Sequence, residues 1–472
     1  MSFIVLKFGG TSVEDAAAIQ RTADIVASRR QPGQQPVVVT SAMSKVTDQL
    51  LTAAHAAGRG DKGAALDLSG RIHARHLETA AKLLSGQAAA AAVQWLEQDC
   101  TTLDELLRGI AAVGELTART TDLVVSFGER LSSRLLAEFY AERGLNGQYV
   151  DARTCIITDD QHGKAFPLPE LIEARLAEHL LPHLAGGKVP VLGGFIGSTA
   201  TGTTTTLGRG GSDYTAALLG EALRASAIEI WTDVDGILTA DPRICPDALR
   251  VRHISFEEAA ELAYFGAKVL HPATILPAVK KNIPVFVLNS KNPASEGTKI
   301  TALAPRSTSP FKSIAVKHRV TIVDVVASRM LMSHGYLRQI FEVFDRHKCP
   351  VDLVSTSEVS VSLTVDSNQA IPAIAHDLSQ LADVKYEGQK ALLCMVGDDI
   401  RGQSGIAAQV FAAIKGVNVR MISQGASEIN MSFVIEEEDV PHAVQSLHAH
   451  FFASPDPAVF DLSPRTATAA KL

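Results

Sequence analysis

The sequence predicts an α/β protein: a largely parallel sheet covered on both faces, followed by a smaller α/β unit that occurs twice. Two observations carry this. Over the first three hundred residues short apolar runs alternate with helix-prone segments, the pattern of strands joined by helical crossovers. Beyond residue 310 the pattern changes and then repeats. His334-Gly335…Gln339-Ile340-Phe341 aligns with Ser404-Gly405…Gln409-Val410-Phe411, and Ser357-Glu358-Val359 with Ser427-Glu428-Ile429, both at a spacing of 70 residues. Ordered matches at one spacing mark an internal repeat.

The totals are those of an ordinary globular protein. At 472 residues the chain is long enough for two or three domains. Charged residues make up 20% and hydrophobic ones 46%, which excludes a disordered chain. The net charge of -7 argues against a nucleic-acid partner, which calls for a basic excess. The five cysteines are scattered with no C-x-x-C pair, so neither a zinc site nor a redox motif is indicated. No apolar run approaches a membrane span, and Lys7 with the following glycines interrupts any signal-peptide-like stretch. The expected compartment is the cytoplasm, with no membrane partner.

Taken in order, the first element is the strand within Phe3–Val13, which ends in Lys7 and turns on Gly9 and Gly10. A strand-fixed cation, glycines that admit close backbone approach, and a helix expected over Val13–Arg29 together make a phosphate cradle. It is not a P-loop, since G-x-x-x-x-G-K-[ST] does not occur in the chain. Val37–Thr40 is the next strand and runs into Ser41-Ala42-Met43-Ser44-Lys45-Val46-Thr47. Residues 62–113 read as long helices with a break near Ser85-Gly86. Leu123–Ser126 reads as a strand, placing Glu129 just after it at the start of a helix, where its carboxylate could take an ammonium group or simply favour the helix dipole. Gln148–Asp151, Val189–Leu192, Ile228–Thr232 and Val285–Leu288 are further strands.

In Leu207-Gly208-Arg209-Gly210-Gly211-Ser212-Asp213, an arginine fork suited to carboxylate or phosphate sits among three glycines, and Ser212 or Asp213 is expected to cap the helix through Leu223. Trp231–Arg243 ends a strand and carries loop acids suited to magnesium or to a nucleotide's ribose or base, or to plain turns. Phe265–Pro272 supplies a second lysine, Lys268; its His271-Pro272 is expected to be a helix boundary. Asn289–Pro310 reads as a linker, and the Ala/Thr-rich chain after about residue 460 as frayed.

Five of these strings, in this order and beginning with K-F-G-G-T-S-V, resemble the aspartokinases within the amino-acid kinase family, over nearly the whole chain. The resemblance implies a three-layer αβα amino-acid kinase fold over residues 1–300 and two ACT-like βαββαβ regulatory domains, 314–390 and 391–460. It implies transfer of the ATP γ-phosphoryl group to the side-chain carboxylate of L-aspartate, the first step toward lysine, threonine and methionine. Lys7, Asp213 and Lys268 are then catalytic. Gly9, Gly10, Thr232, Asp233, Leu238, Arg243 and Val269 join Lys7 and Lys268 at ATP. Ser41, Ala42, Thr47, Glu129, Arg209, Gly210, Gly211 and Ser212 bind the substrate. Magnesium is expected with ATP, on unassigned ligands, and no organic cofactor. Two positions depart from the family: Leu238 stands in a tyrosine slot and Lys45 in a glycine slot.

The first repeat resembles the effector site of lysine-sensitive aspartokinases at Met330, Ser333, Tyr336, Leu337, Val351, Asp352, Ser357 and Glu358. It offers two carboxylates, Asp352 and Glu358, to a cation; the second repeat has Arg420 in place of Asp352 and keeps Glu428. Lysine is therefore the expected inhibitor and threonine the runner-up. A homo-oligomer, at least a dimer, is expected through the ACT-like domains. The chain length leaves no room after the second repeat for a fused dehydrogenase, so a single activity is expected. The alternatives are another ACT-regulated amino-acid kinase, or an amino-acid sensor with an inactive kinase domain, against which the intact Lys7, Arg209, Asp213 and Lys268 argue.

Overall fold

The computed structural model describes residues 2–266, 272–327 and 334–463. Lys268, Val269, His271, Met330, Ser333 and the tail from residue 464 lie outside the described residues. The chain divides into two compact units.

The first unit is built on an eight-stranded sheet. Its order is His253–Ser255, Thr298–Thr301, Val285–Asn289, Ala227–Thr232, Ser2–Phe8, Gln34–Thr40, Val189–Gly193, Gly147–Val150. The six strands from Val285–Asn289 to Gly147–Val150 run parallel, and Thr298–Thr301 is antiparallel to its neighbour. The parallel strands are apolar in unbroken runs because both faces are covered: Val5, Leu6, Phe8, Val37, Val38 and Val39 are all inaccessible. Asp15 starts the helix Ala16–Arg29 by accepting the Ala18 N–H at 2.8 Å. Long helices follow at Lys62–Leu83 and Gly86–Val113, broken where Ser85-Gly86 predicts.

Three expectations for this unit fail. Leu123–Ser126 is not a strand; it lies inside the helix Ala118–Glu142, which starts at the Thr117 cap. A short β-branched run in a buried segment fits either state, and here the apolar positions continue through Phe127, Leu131, Leu135 and Leu136 on a helical face. Glu129 therefore sits in mid-helix, not after a strand. The stretch expected as a linker contains the strand Thr298–Thr301. Neither Ser212 nor Asp213 caps the helix Gly211–Leu223; Gly210 does, and both side chains are used elsewhere.

The second unit takes in the described residues of 237–253, 257–268 and 305–472, so the boundary expected near 300 misses two segments. Hydrogen bonds explain why they belong here. Thr239 O accepts the Ile314 N–H at 2.8 Å, and Thr239 Oγ1 lies 2.8 Å from His448 Nε2. Lys312, wholly buried, pairs with the equally buried Glu258 at 2.8 Å. Such a pair is costly to break from one side, because the other charge is left uncompensated in the interior.

The sheet of this unit has six antiparallel strands: Val351–Thr356, Ser360–Asp366, Phe311–Val326, Asp383–Gly397, Asn430–Glu436, Met421–Gln424. The repeats are confirmed locally, since Gly335 and Gly405 occupy the same N-cap at φ +77° and +79°, a region that favours glycine. They are not consecutive, however. Phe311–Val326 is one long strand whose first half pairs with the far half of Asp383–Gly397, Lys317 opposite Leu392, and whose second half pairs with the near half, Val326 opposite Asp383. The first repeat is thus inserted after a strand that belongs with the second, and a division at 390/391 cuts across the sheet. Phe460–Asp461, expected to be frayed, pairs with Arg250–Val251. Among the described residues no helix is long and apolar enough to cross a membrane.

Candidate functional site

Four adjacent parallel strands, Ala227–Thr232, Ser2–Phe8, Gln34–Thr40 and Val189–Gly193, end at one edge of the first unit's sheet, where open α/β sheets place ligands. Their loops are tied together. Gly9 N–H bonds Trp231 O at 3.0 Å, Ser41 N–H bonds Phe8 O at 3.0 Å, and Gly194 N–H bonds Thr40 O at 2.8 Å. Gly10 permits a close approach: a Cβ there would lie 3.0 Å from Ala42 O.

Lys7, 9% exposed, reaches Asp213 Oδ1 with its Nζ at 2.7 Å. Asp213 is in the first turn of Gly211–Leu223, so the carboxylate orients the lysine rather than capping the helix. The ammonium stands over the glycine turn, 3.7 Å from where a Gly9 Cβ would be. Ser212 also turns inward, its Oγ 3.1 Å from Ser41 Oγ.

Glu129 is 3% exposed and reaches the same loop from the helix side. Its Oε1 accepts the Ala42 N–H at 3.3 Å, and its Oε2 is buried without a partner. Burial pushes this carboxyl up to about 8, against the weaker pull of the Ala42 N–H. An unpaired buried carboxylate oxygen is a strong cue for a missing donor.

Sequence reasoning missed the residues that brace these loops. Arg75 donates to Ser44 O and Glu14 O, both at 2.7 Å, and Ser132 Oγ donates to Ser41 O at 2.8 Å. Single polar residues on long helices carry no local signal. Lys45 adopts φ +68°, in the left-handed region where a side chain costs about 1–2 kcal/mol.

The other expected residues are distributed as follows. Thr47 is half-buried in the first turn of Val46–Gly58, Arg209 is exposed at the tip of its loop, Thr232 ends the strand beside Gly9 and Asp233 follows it. Leu238 and Arg243 belong to the second unit. Leu238 is half-buried, its carbonyl accepting Ser313 Oγ at 2.6 Å, and the exposed Arg243 is held by Asp241 at 2.6 Å.

The expected effector residues are also in the second unit. Tyr336 is buried, its hydroxyl donating to Leu381 O at 3.1 Å; Leu337 is exposed; Val351 is half-buried. Ser357 Oγ meets Ser360 Oγ at 2.7 Å, and Glu358 is exposed. Asp352 corrects the sequence picture of two waiting carboxylates. Both its oxygens lie 2.7 Å from Lys317 Nζ, which also reaches Asp366 at 3.0 Å. Burial alone would lower the Lys317 pKa; its bonds to the two carboxylates outweigh that and raise it. In the second repeat Glu428 pairs with Arg401, and Arg420 with Glu387 and Glu436.

The chain matches the amino acid kinase family over residues 2–289 and the ACT domain over 393–451. It is 40% identical over 459 residues to the lysine-sensitive aspartokinase 3 of Escherichia coli (strain K12), covering 95% of this chain and 99% of the other. The structure of E. coli aspartokinase III in complex with aspartate and ADP (R-state) superposes with a TM-score of 0.81 at 39% identity, covering 95% and 100% of the two chains. Its complex with lysine and aspartate (T-state) gives the same TM-score and identity, covering 95% and 99%.

Proposed function

The chain belongs to the aspartokinases of the amino acid kinase family, and from that premise we propose which of its residues perform the reaction. It is an ATP-dependent aspartate kinase: the side-chain carboxylate of L-aspartate attacks the γ-phosphorus, the bond to the β-phosphate oxygen breaks, and L-4-aspartyl phosphate and ADP leave. No general base is required, since the attacking carboxylate is ionised at neutral pH. What the protein must supply is positioning and positive charge between two anions.

Lys7, oriented by Asp213, neutralises the transferring phosphoryl group, and Gly9 and Gly10 offer backbone donors to the phosphates. Glu129 receives the substrate ammonium and Arg209 its α-carboxylate, with Ser41, Ala42, Thr47, Gly210, Gly211 and Ser212 around them. Lys268 and Val269, Thr232, Asp233, Leu238 and Arg243 are proposed for the nucleotide on the family pattern. Magnesium arrives on the phosphates of ATP; among the described residues there is no cluster of three metal-binding side chains, and no side chain is assigned to it. The observation that carries the reading is the buried, half-satisfied Glu129, which reaches from its helix to the loop that follows the strand next to Lys7's. The exposed outer strands Val351–Thr356 and Met421–Gln424 support assembly into at least a dimer, and inhibition by lysine is assigned to the first repeat.

The test is hydroxylamine trapping of the acyl phosphate with ATP and either aspartate or glutamate. Trapping with aspartate and not glutamate is the expected result; none with aspartate would defeat the assignment.

Glu129 gives a second expectation, with a definite sign. The free protein holds it neutral below about pH 8, whereas an ammonium ligand demands the carboxylate. The kcat/KM for aspartate should therefore rise with pH and level off above about 8, with one proton released on binding at lower pH. A neutral carboxyl in the folded state also means that stability from this group falls as pH rises from its ordinary range toward 8. Glu129→Gln should raise the aspartate KM, leave the ATP KM nearly unchanged and erase that limb of the profile. A Gln variant with the same pH limb would show that another group is responsible.

A further inference from the structure

Asp122 has no part in the reaction as described, yet it is among the most fully engaged carboxylates of the first unit. It lies on Ala118–Glu142 two turns before Glu129 and is 2% exposed. Thr206 Oγ1 donates to it at 2.5 Å, His162 Nδ1 lies at 2.8 Å, and the Gly163 N–H is 3.1 Å from each of its oxygens.

Every one of these contacts leads to the loop that carries Arg209. Thr206 ends the strand Thr204–Thr206, three residues before the arginine. Ala165 N–H bonds Thr206 O at 2.8 Å. A Cβ on Gly208 would lie 3.2 Å from Gly163 O, so the turn at 162–165 lies directly against Gly208. Gly211 N–H closes the loop on Gly208 O at 3.0 Å. Arg209 is exposed at the tip, and its location is set by this backbone. The same helix holds Glu129 on the Ser41–Ala42 loop. One rigid element thus fixes both the carboxylate proposed for the substrate ammonium and the loop proposed to meet the α-carboxylate.

We propose that Asp122 is a positioning residue: through Thr206, His162 and Gly163 it sets the distance between Arg209 and Glu129, and so the fit for an acceptor bearing both an α-ammonium and an α-carboxylate. The proposal rests on the assignment of Arg209 given above. A plain structural brace would lower thermal stability and disturb both substrates alike. A positioning role acts on the amino acid alone, and only through Arg209.

The experiment is a double-mutant cycle in the full-length protein with Asp122→Asn, Arg209→Ala and the combination, measuring both substrate KM values, kcat and the melting temperature. Asp122→Asn is expected to raise the aspartate KM about tenfold with the ATP KM held within about twofold, the pattern of lost substrate binding. The combination should be no worse than Arg209→Ala alone, since residues acting through one another are not additive. Factors that multiply in the combination, or an equal rise in both KM values, would overturn the proposal while leaving Arg209 in place. An Arg209→Ala enzyme with unchanged aspartate KM would overturn the reading of Arg209 and this proposal with it. If Asp122→Asn does not fold, Thr206→Val removes one donor from the loop side and must give the same non-additive pattern; additivity there overturns the proposal equally.

Discussion

Lys7→Ala is expected to leave a folded protein whose kcat has fallen about a hundredfold or more, the usual cost of removing one preorganised charge from a transition state. The position makes the loss hard to compensate. Lys7 is fixed by strand pairing on both sides, opposite Val39 and Ile230, so its backbone cannot move to bring another group in. Its ammonium is pinned by Asp213 at 2.7 Å, which means its location is prepared before substrate arrives. The side chains of the pair are 11% and 14% exposed, so water can reach Asp213 once the lysine is gone and the fold should survive. Melting temperature and single-turnover rate, measured together, separate the two effects. Turnover within a few-fold of the parent, in a protein that melts normally, would remove Lys7 from the mechanism.

Lys7 also shows what a sequence reveals and what it withholds. The strand, lysine, two glycines and helix were legible because they are contiguous, within about twenty-five residues. Asp213 was expected from the resemblance to orient a lysine or a metal; which lysine was not legible, since Lys7 lies more than two hundred residues away in the chain and meets it at 2.7 Å only in the fold. Glu129 was singled out from an incorrect element. The β-branched run before it satisfies strand and buried helix equally, and only the packing of Ala118–Glu142 decides between them. The insertion of one repeat into the other was invisible for a similar reason. The 70-residue spacing is carried by helix caps and turns, whereas strand exchange is a matter of long-range pairing along Phe311–Val326. The partners of Asp122 and Arg75 are distant in the chain, so these two residues left no local pattern to find.

The effector prediction depends on one such long-range contact. Asp352→Ala is expected to abolish inhibition by lysine while sparing uninhibited turnover. Turnover is spared because Asp352 is not among the residues proposed for aspartate or ATP, and because Lys317 keeps Asp366 at 3.0 Å when Asp352 is gone, so no buried cation is orphaned. Inhibition is lost because the change removes a carboxylate that an incoming ammonium requires. The pairing of Asp352 with Lys317 adds a condition that the sequence did not foresee: a ligand ammonium must compete with a tethered one already held at 2.7 Å. Lys317→Met should then act in the opposite direction to Asp352→Ala. It uncovers Asp352 beside Asp366, concentrates negative charge and should move half-inhibition to lower lysine. Allosteric coupling is typically about 1–3 kcal/mol, or roughly five- to 150-fold in affinity, so both shifts lie within reach of a steady-state titration. Threonine carries no side-chain cation and should inhibit neither the parent nor the Lys317→Met enzyme. Inhibition by threonine in place of lysine, or an Asp352→Ala enzyme that lysine still inhibits fully, would move the effector site away from the first repeat.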